Sequence, residues 1–274
     1  MKQLLKIEFQ RALRGKGIIL SLVIGTVIST AHVTQYIIPL AQANATKFFV
    51  EYPILSPNNL AESWMGGNPA NLEGFLYFLI IPLIACMPFG TSYFDDYNSG
   101  FLKNVYMRIS KKEYLLVKYV VTFLSAGIAV IFPLGVNLIC SMMLLPNLVP
   151  TATYIHNQVN PLVEFYTLFY SHPIWYTLIY FLFIFLMAGI FGCIGLVASF
   201  WTDYKIIVLI SPFLIQLIVH VVCTIIGKSE YSSVYWQQPG FGIVSLWIVF
   251  MYLSIGALTT FLTFRVKGEK LDVF

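Results

Sequence analysis

The sequence predicts an all-α integral membrane protein with six transmembrane helices, preceded by an amphipathic helix lying in the interface. Three observations carry that prediction. Hydrophobic residues make up 58% of the 274-residue chain and charged residues only 10%, where a soluble domain carries about 25% charged residues. The apolar residues fall into six runs long enough to cross a hydrocarbon core of roughly 30 Å. Basic residues gather in the segments that six crossings would place on one side.

Residues 1–16 open the chain as a basic amphipathic helix: Leu5, Phe9, Ala12 and Leu13 recur at helical spacing beside Lys6, Gln10 and Arg14, the pattern of an interfacial helix. The first span, about 17–40, follows directly. Ala41-Gln42-Ala43 resembles a signal-peptidase site, but the apolar run is well beyond the roughly 7–15 residues of a signal peptide's apolar core, so the span is expected to be retained. A polar loop with Pro53, Pro57, Gly66, Gly67 and Pro69 as breakers leads to the second span, about 74–94, where Pro82 and Pro88 predict a bend.

Next comes the longest polar interruption on the basic side, Asp95 to Glu113. Asn98 or Ser99 is positioned to cap a short helix whose Phe101, Leu102 and Val105 share a face. With Tyr106 and Met107, these are too many apolar groups to leave in water, so a partner or a lipid surface is expected to cover them. Ser110-Lys111-Lys112-Glu113 has the form of a capping box and opens the third span, about 113–145, whose first turns, Lys118 included, are expected to project into the cytoplasm. Pro133 and Asn137 lie inside that span.

Leu162, Phe165 and Phe169, between Pro161 and Pro173, predict a short surface helix. The fourth span, about 174–200, carries Gly189, Gly192 and Gly195, and its Ala188/Gly192 pair would admit a neighbouring helix closely. Trp201–Lys205 is a tight turn into the fifth span, about 206–226. Tyr231, Tyr235 and Trp236 then suit a headgroup zone. The sixth span, about 241–264, ends in a short basic tail.

Six spans leave fourteen of the sixteen Lys and Arg residues on one side, with only Lys47 and Lys228 on the other. Positive residues mark the cytoplasmic side, so both termini are expected there. The net charge of +4 is thus a topology signal, and no nucleic-acid partner is expected. Cys86, Cys140, Cys193 and Cys223 all sit in apolar runs without ligand spacing and read as buried hydrophobes.

The chain contains no Walker-type glycine loop, HExxH, G-x-S-x-G or dinucleotide fingerprint, so it is expected to be non-catalytic and to bind no cofactor or metal itself. No acidic residue falls at the centre of a span, which argues against a carboxylate proton relay. The polar groups within spans are His32 with Gln35, Asn137, and Gln216 with His220. Each of the two pairs would share a helix face and line a path at mid-membrane, or else serve in interhelical hydrogen bonding.

In this setting the chain resembles the type-2 ABC exporter permeases, small six-span subunits that pair with separate ATP-hydrolysing subunits. The resemblance rests on Lys2–Lys16 with Glu8 and Arg11, on Asp95–Arg108, and on Ile109-Ser110-Lys111-Lys112-Glu113-Tyr114-Leu115-Leu116-Val117-Lys118. The last run is similar to the family pattern P-[IV]-S-[RK]-x-[EQ]-[YF]-[LI]-x-x-K, with Arg108 where the family has proline. It implies a cytoplasmic coupling helix between spans two and three, with Ser99, Phe101, Leu102, Val105, Tyr106 and Arg108 facing an ABC-type nucleotide-binding subunit and Asp203 in a second point of contact. It also implies ATP and Mg on that partner, a second permease copy or sister permease, and a path lined by His32, Gln35, Gln216 and His220. The substrate class is then hydrophobic or amphipathic, a peptide, antibiotic or lipid; many relatives expel antimicrobial peptides such as lantibiotics. The alternative is a non-transporting immunity or anchor protein that binds a peptide at the outer face.

Overall fold

The computed structural model describes residues 2–45, 57–150, 159 and 162–271; Lys47, Pro53 and Pro161 lie outside them. Helix α1 (Lys2–Arg14) ends at Gly15, and α2 (Lys16–His32) passes through a π-helical turn at Val33–Ile37 into α3 (Ile38–Ala45), making one apolar rod of 30 residues. After α4 (Leu60–Ser63) and α5 (Leu72–Cys86) come α6 (Ser92–Asn98), α7 (Phe101–Tyr106) and α8 (Lys111–Leu144). The chain closes with α9 (Tyr166–Ser171), α10 (Pro173–Ala198), α11 (Lys205–Ile225), α12 (Ser233–Trp236) and α13 (Leu246–Lys270).

Five of these units are long and apolar enough to cross a bilayer: the α2–α3 rod, α8, α10, α11 and α13. They mark a multi-pass membrane protein. The predicted second span differs. Helix α5 has 15 residues, about 22 Å at 1.5 Å per residue, short of the roughly 30 Å hydrocarbon core. Pro82 sits within it without ending it, whereas Pro88 lies in the turn that separates α5 from α6. The sixth predicted span also shifts. Helix α13 starts at Leu246 and stays helical through the basic tail, where Arg265 pairs with Glu269 at 3.0 Å.

Helices α8 and α10 form the centre, and the other spanning helices pack around them. Their crossing is fixed by two reciprocal insertions. A Cβ at Gly127 of α8 would stand 2.4 Å from the Phe185 ring of α10, and one at Gly189 of α10 would stand 2.5 Å from the Phe123 ring of α8. The two rings meet edge to face at 6.3 Å, a favoured aromatic geometry. Gly192 lies against Ala126 and the Ala85 carbonyl, so the Ala188/Gly192 pair does admit close neighbours. On the other flank, Gly25 of α2 receives the Pro133 ring, and the Ser29 hydroxyl donates to the Pro133 carbonyl at 3.1 Å. That bond occupies a carbonyl in the region of α8 where proline interrupts the helical ladder.

Gly17, at the start of α2, runs against backbone: an added Cβ would fall 2.0 Å from the Met87 carbonyl oxygen in the turn after α5. Backbone cannot rotate away as a side chain can. Gly17→Ala is therefore expected to lower stability by about 1–3 kcal/mol, the usual range for overpacking, read as an earlier thermal midpoint of the purified protein.

The end of the bundle opposite α1 is filled rather than looped. Residues 58–66 and 232–240 are almost wholly buried, and the two segments join where Gly240 N–H donates to the Gly66 carbonyl at 2.8 Å. Trp64 packs on Phe181, and the Tyr176 hydroxyl donates to the Pro239 carbonyl. Trp236, expected among lipid headgroups, is 2% exposed. The predicted surface helix between Leu162 and Pro173 shortens to α9. Phe165 lies just before it in a left-handed conformation, and Phe169 turns inward.

Candidate functional site

At the end of the bundle that carries α1, a four-charge cluster joins three helices. The stripe of α1 that packs on α8 is Leu4, Glu8 and Ala12, all buried, while Leu5 and Leu13 are exposed. Of the four apolar residues picked out by the spacing, Ala12 is buried in this stripe and Phe9 is half-buried beside it, while Leu5 and Leu13 face outward. Glu8 pairs with Arg11 at 2.7 Å and with Lys118 at 3.0 Å; Asp96 of α6 takes Arg11 at 2.6 Å and Lys118 at 2.5 Å. The Tyr114 hydroxyl donates to the same carboxylate, and Lys118 also stands 4.3 Å from the centre of the Phe89 ring.

Two carboxylates and two cations make the group neutral, and that permits its burial. Lys118, expected to reach into water, has no exposed surface at all. Burial by itself would raise the Asp96 carboxyl, but Lys118, Arg11 and Tyr114 outweigh it and hold the group below the usual carboxylate range. Burial would likewise lower the Arg11 guanidinium, yet Asp96 and Glu8 keep it above its ordinary value.

This cluster sets the position of α7. Gly100 opens that helix in a left-handed conformation (φ 72°) that favours glycine, so neither Asn98 nor Ser99 is its cap. Ser99 is exposed, and its hydroxyl donates back to the Asp96 carbonyl at 3.3 Å. The predicted single apolar face of α7 divides in two. Leu102 is fully buried among Tyr93, Tyr114 and Phe264, with Val105 and Tyr106 packed half-buried beside it, whereas Phe101 and Met107 are exposed at 40% and 69%. The Arg11 guanidinium lies 5.0 Å from the Phe101 ring centre. Tyr106 meets the Tyr114 ring edge to face, and Arg108 is exposed. Ser110 does cap α8, accepting the Glu113 N–H at 3.3 Å.

The turn between α10 and α11 reaches the same surface. Asp203 is exposed there and, with Trp201, Tyr97, Asn98 and Leu271, borders a cleft of about 310 Å³. Lys205 pairs with Asp95 at 2.7 Å across the top of α6.

The four polar residues proposed to line a path do not come together. His32 is fully buried, whereas Gln35 is exposed. The π-turn at Val33–Ile37 inserts extra backbone and breaks the shared face that i,i+3 spacing would give. His32 instead joins a buried polar node. The Asn137 carboxamide accepts the Met65 N–H at 3.0 Å and turns its nitrogen to the Ser29 carbonyl at 3.2 Å and to His32 Nδ1 at 3.1 Å. Nδ1 is therefore the accepting nitrogen and Nε2 carries the proton; Asn71 places its carboxamide nitrogen 2.9 Å from Nε2, and turning that amide by half a rotation would bring its oxygen round to accept the proton.

On α11, Gln216 is buried against α5 and donates to the Leu79 carbonyl at 3.3 Å. His220 lies further along, bonded to the Ser232 hydroxyl at 2.9 Å and stacked on Tyr235. Among the described residues no cluster of His, Cys, Asp or Glu has the makings of a metal site.

Sequence reasoning missed Glu8, Asp96, Tyr114 and Lys118 as one unit. The available signal was Glu8 between Leu4 and Ala12 at four-residue spacing, an acid on a stripe otherwise fit for burial. No family model, curated protein or solved structure matches the chain.

Proposed function

We propose that the chain is the membrane subunit of an ATP-driven exporter of the type-2 ABC permease kind. It sits in a bacterial cytoplasmic membrane with its basic end inside, and a separate subunit supplies ATP and Mg. The observation that carries this reading is the mounting of α7. A six-residue helix with exposed Phe101 and Met107 is tied through Leu102 to the bundle and, through Asp96 of the adjoining α6, to α1 and α8. A soluble partner that moved α7 would move the start of the longest span with it. The α10–α11 turn with Asp203, bordering the same cleft, offers the partner a second hold. The absence of a nucleotide-binding motif within the chain agrees with an energy source held on another subunit.

In this reading a second permease copy or sister permease completes the path, α5 with the broken turn at Met87–Thr91 serves as the sixth crossing, and hydrophobic or amphipathic substrates leave between the halves. The test is co-purification of the tagged chain from its native membranes, with Mg-dependent ATP hydrolysis measured on the eluate. Phe101→Asp and Met107→Asp change exposed positions, so the protein is expected to stay monodisperse while the associated ATPase falls at least about tenfold, as for loss of interface anchors of roughly 1.4 kcal/mol or more. Leu102→Asp is unsuitable, because it would place a charge in the core. Wild-type protein that elutes without ATPase, or variants that keep it in full, would refute the assignment.

A further inference from the structure

Helices α11 and α13 each pack on α10 and diverge from one another, leaving a cleft of about 470 Å³ between the three. Its walls come from the C-terminal half of α10 and the middle of α11 and α13, with Ser233 of α12 at one edge, and are mostly apolar, with Ile190, Phe191, Ile215, Met251 and Ile255 prominent. The volume lies within the roughly 300–1,000 Å³ of small-molecule sites, which pair apolar walls with a few placed polar groups. One such group stands at this wall. Gln216 is 2% exposed and its nitrogen is committed to the Leu79 carbonyl, yet its carbonyl oxygen Oε1 has no hydrogen-bond partner. An amide flip does not relieve it, because the oxygen would then face the Leu79 carbonyl.

None of the hydroxyls at this wall, those of Thr259, Thr260 and Thr263 on α13 and of Ser233 on α12, bonds the oxygen. Thr259 donates to the Ile255 carbonyl and Thr260 to the Gly256 carbonyl, each at 2.7 Å. At this depth in a hydrocarbon core no bulk water is at hand either, and an unsatisfied acceptor there is costly.

We infer that the α10–α11–α13 cleft is a binding site for a single-chain amphiphile that carries one hydroxyl or amide N–H donor, which the Gln216 carbonyl accepts while the chain lies along the apolar walls. The site opens sideways between helices, so its ligand arrives from within the bilayer. The inference stands independently of the exporter reading, since occupancy needs neither ATP nor a partner subunit.

The test uses the full chain in phosphatidylcholine nanodiscs, photolabelled with a diazirine-bearing dodecanol or with its methyl ether, which has the same chain and no donor. Labelled positions are mapped by peptide mass spectrometry. The alcohol is expected to label the peptide spanning Met251–Thr263 saturably, with half-saturation up to about tenfold lower than the ether, the reach of one net hydrogen bond. Gln216→Leu should erase that difference while leaving residual labelling by both probes. Ile255→Trp, which fills the cleft from a position 53% exposed, should abolish saturable labelling without touching Gln216. Equal half-saturation for alcohol and ether in the wild type would overturn the inference. So would labelling that never saturates, or a cleft closed to both probes with a Met251→Cys pair cross-linked between two copies.

Discussion

Lys118→Met should be the most damaging single substitution at the end of the bundle that carries α1. The side chain is fully buried and bridges two carboxylates, those of Glu8 and Asp96, as one of the two cations that balance them. Removing one partner of a buried ion group leaves uncompensated charge, at a typical cost of about 3–5 kcal/mol. The methionine keeps the volume, so the loss is electrostatic rather than a cavity. Thermal unfolding of the purified protein, followed by intrinsic fluorescence, should show a large drop in midpoint. The double variant Lys118→Met/Glu8→Gln restores neutrality, since Arg11 still serves Asp96, and should recover a good part of the loss. A Lys118→Met midpoint within a degree or two of wild type would mean that the cluster does not hold the helices together.

Asn137→Leu should be the most damaging change at the other end. One carboxamide serves the Met65 N–H, the Ser29 carbonyl and His32 Nδ1, all within buried surroundings. The leucine has similar bulk and strands both the Met65 donor and the histidine acceptor. At about 1–3 kcal/mol for each buried group left unpaired, the expected total is roughly 2–4 kcal/mol. Hydrogen exchange should localise it: amides of the 58–71 segment, Met65 foremost, should exchange faster, while those around Gly127 and Gly189 stay protected. Uniform loosening of the whole chain would contradict the role given to this node.

The contrast between these two ends explains what the sequence made legible. Helix length and hydropathy need no knowledge of neighbours, and so the first span and the third to fifth fell close to where they were expected. The Ser110 cap, a purely local device, was also visible. Glu8 and Lys118 were not, because an acid on a stripe reads as its wet side, and of the two cations that Glu8 meets, only Arg11 is near in sequence while the buried one, Lys118, lies 110 residues away. Leu102 shows the same limit. Spacing placed it with Phe101 and Val105, but only the aromatic pocket of Tyr93, Tyr114 and Phe264 decides that it turns inward. Residues 58–66 and 232–240 read as loops from their Gly, Pro and polar content, yet both are buried, and the contact that joins them, Gly240 N–H to the Gly66 carbonyl, links positions far apart in the chain. Gln35 left the His32 face because of a π-turn with no sequence signature.

The paired insertions of Phe185 over Gly127 and Phe123 over Gly189 have a mechanical corollary. One ring seated on one glycine is a pivot, about which two rods can still swivel. Two rings seated in opposite senses, one from each rod, act as a pair of dowels that block swivelling as well as sliding. Helices α8 and α10 are thereby joined as a single beam, so that a displacement of either one carries the other with it.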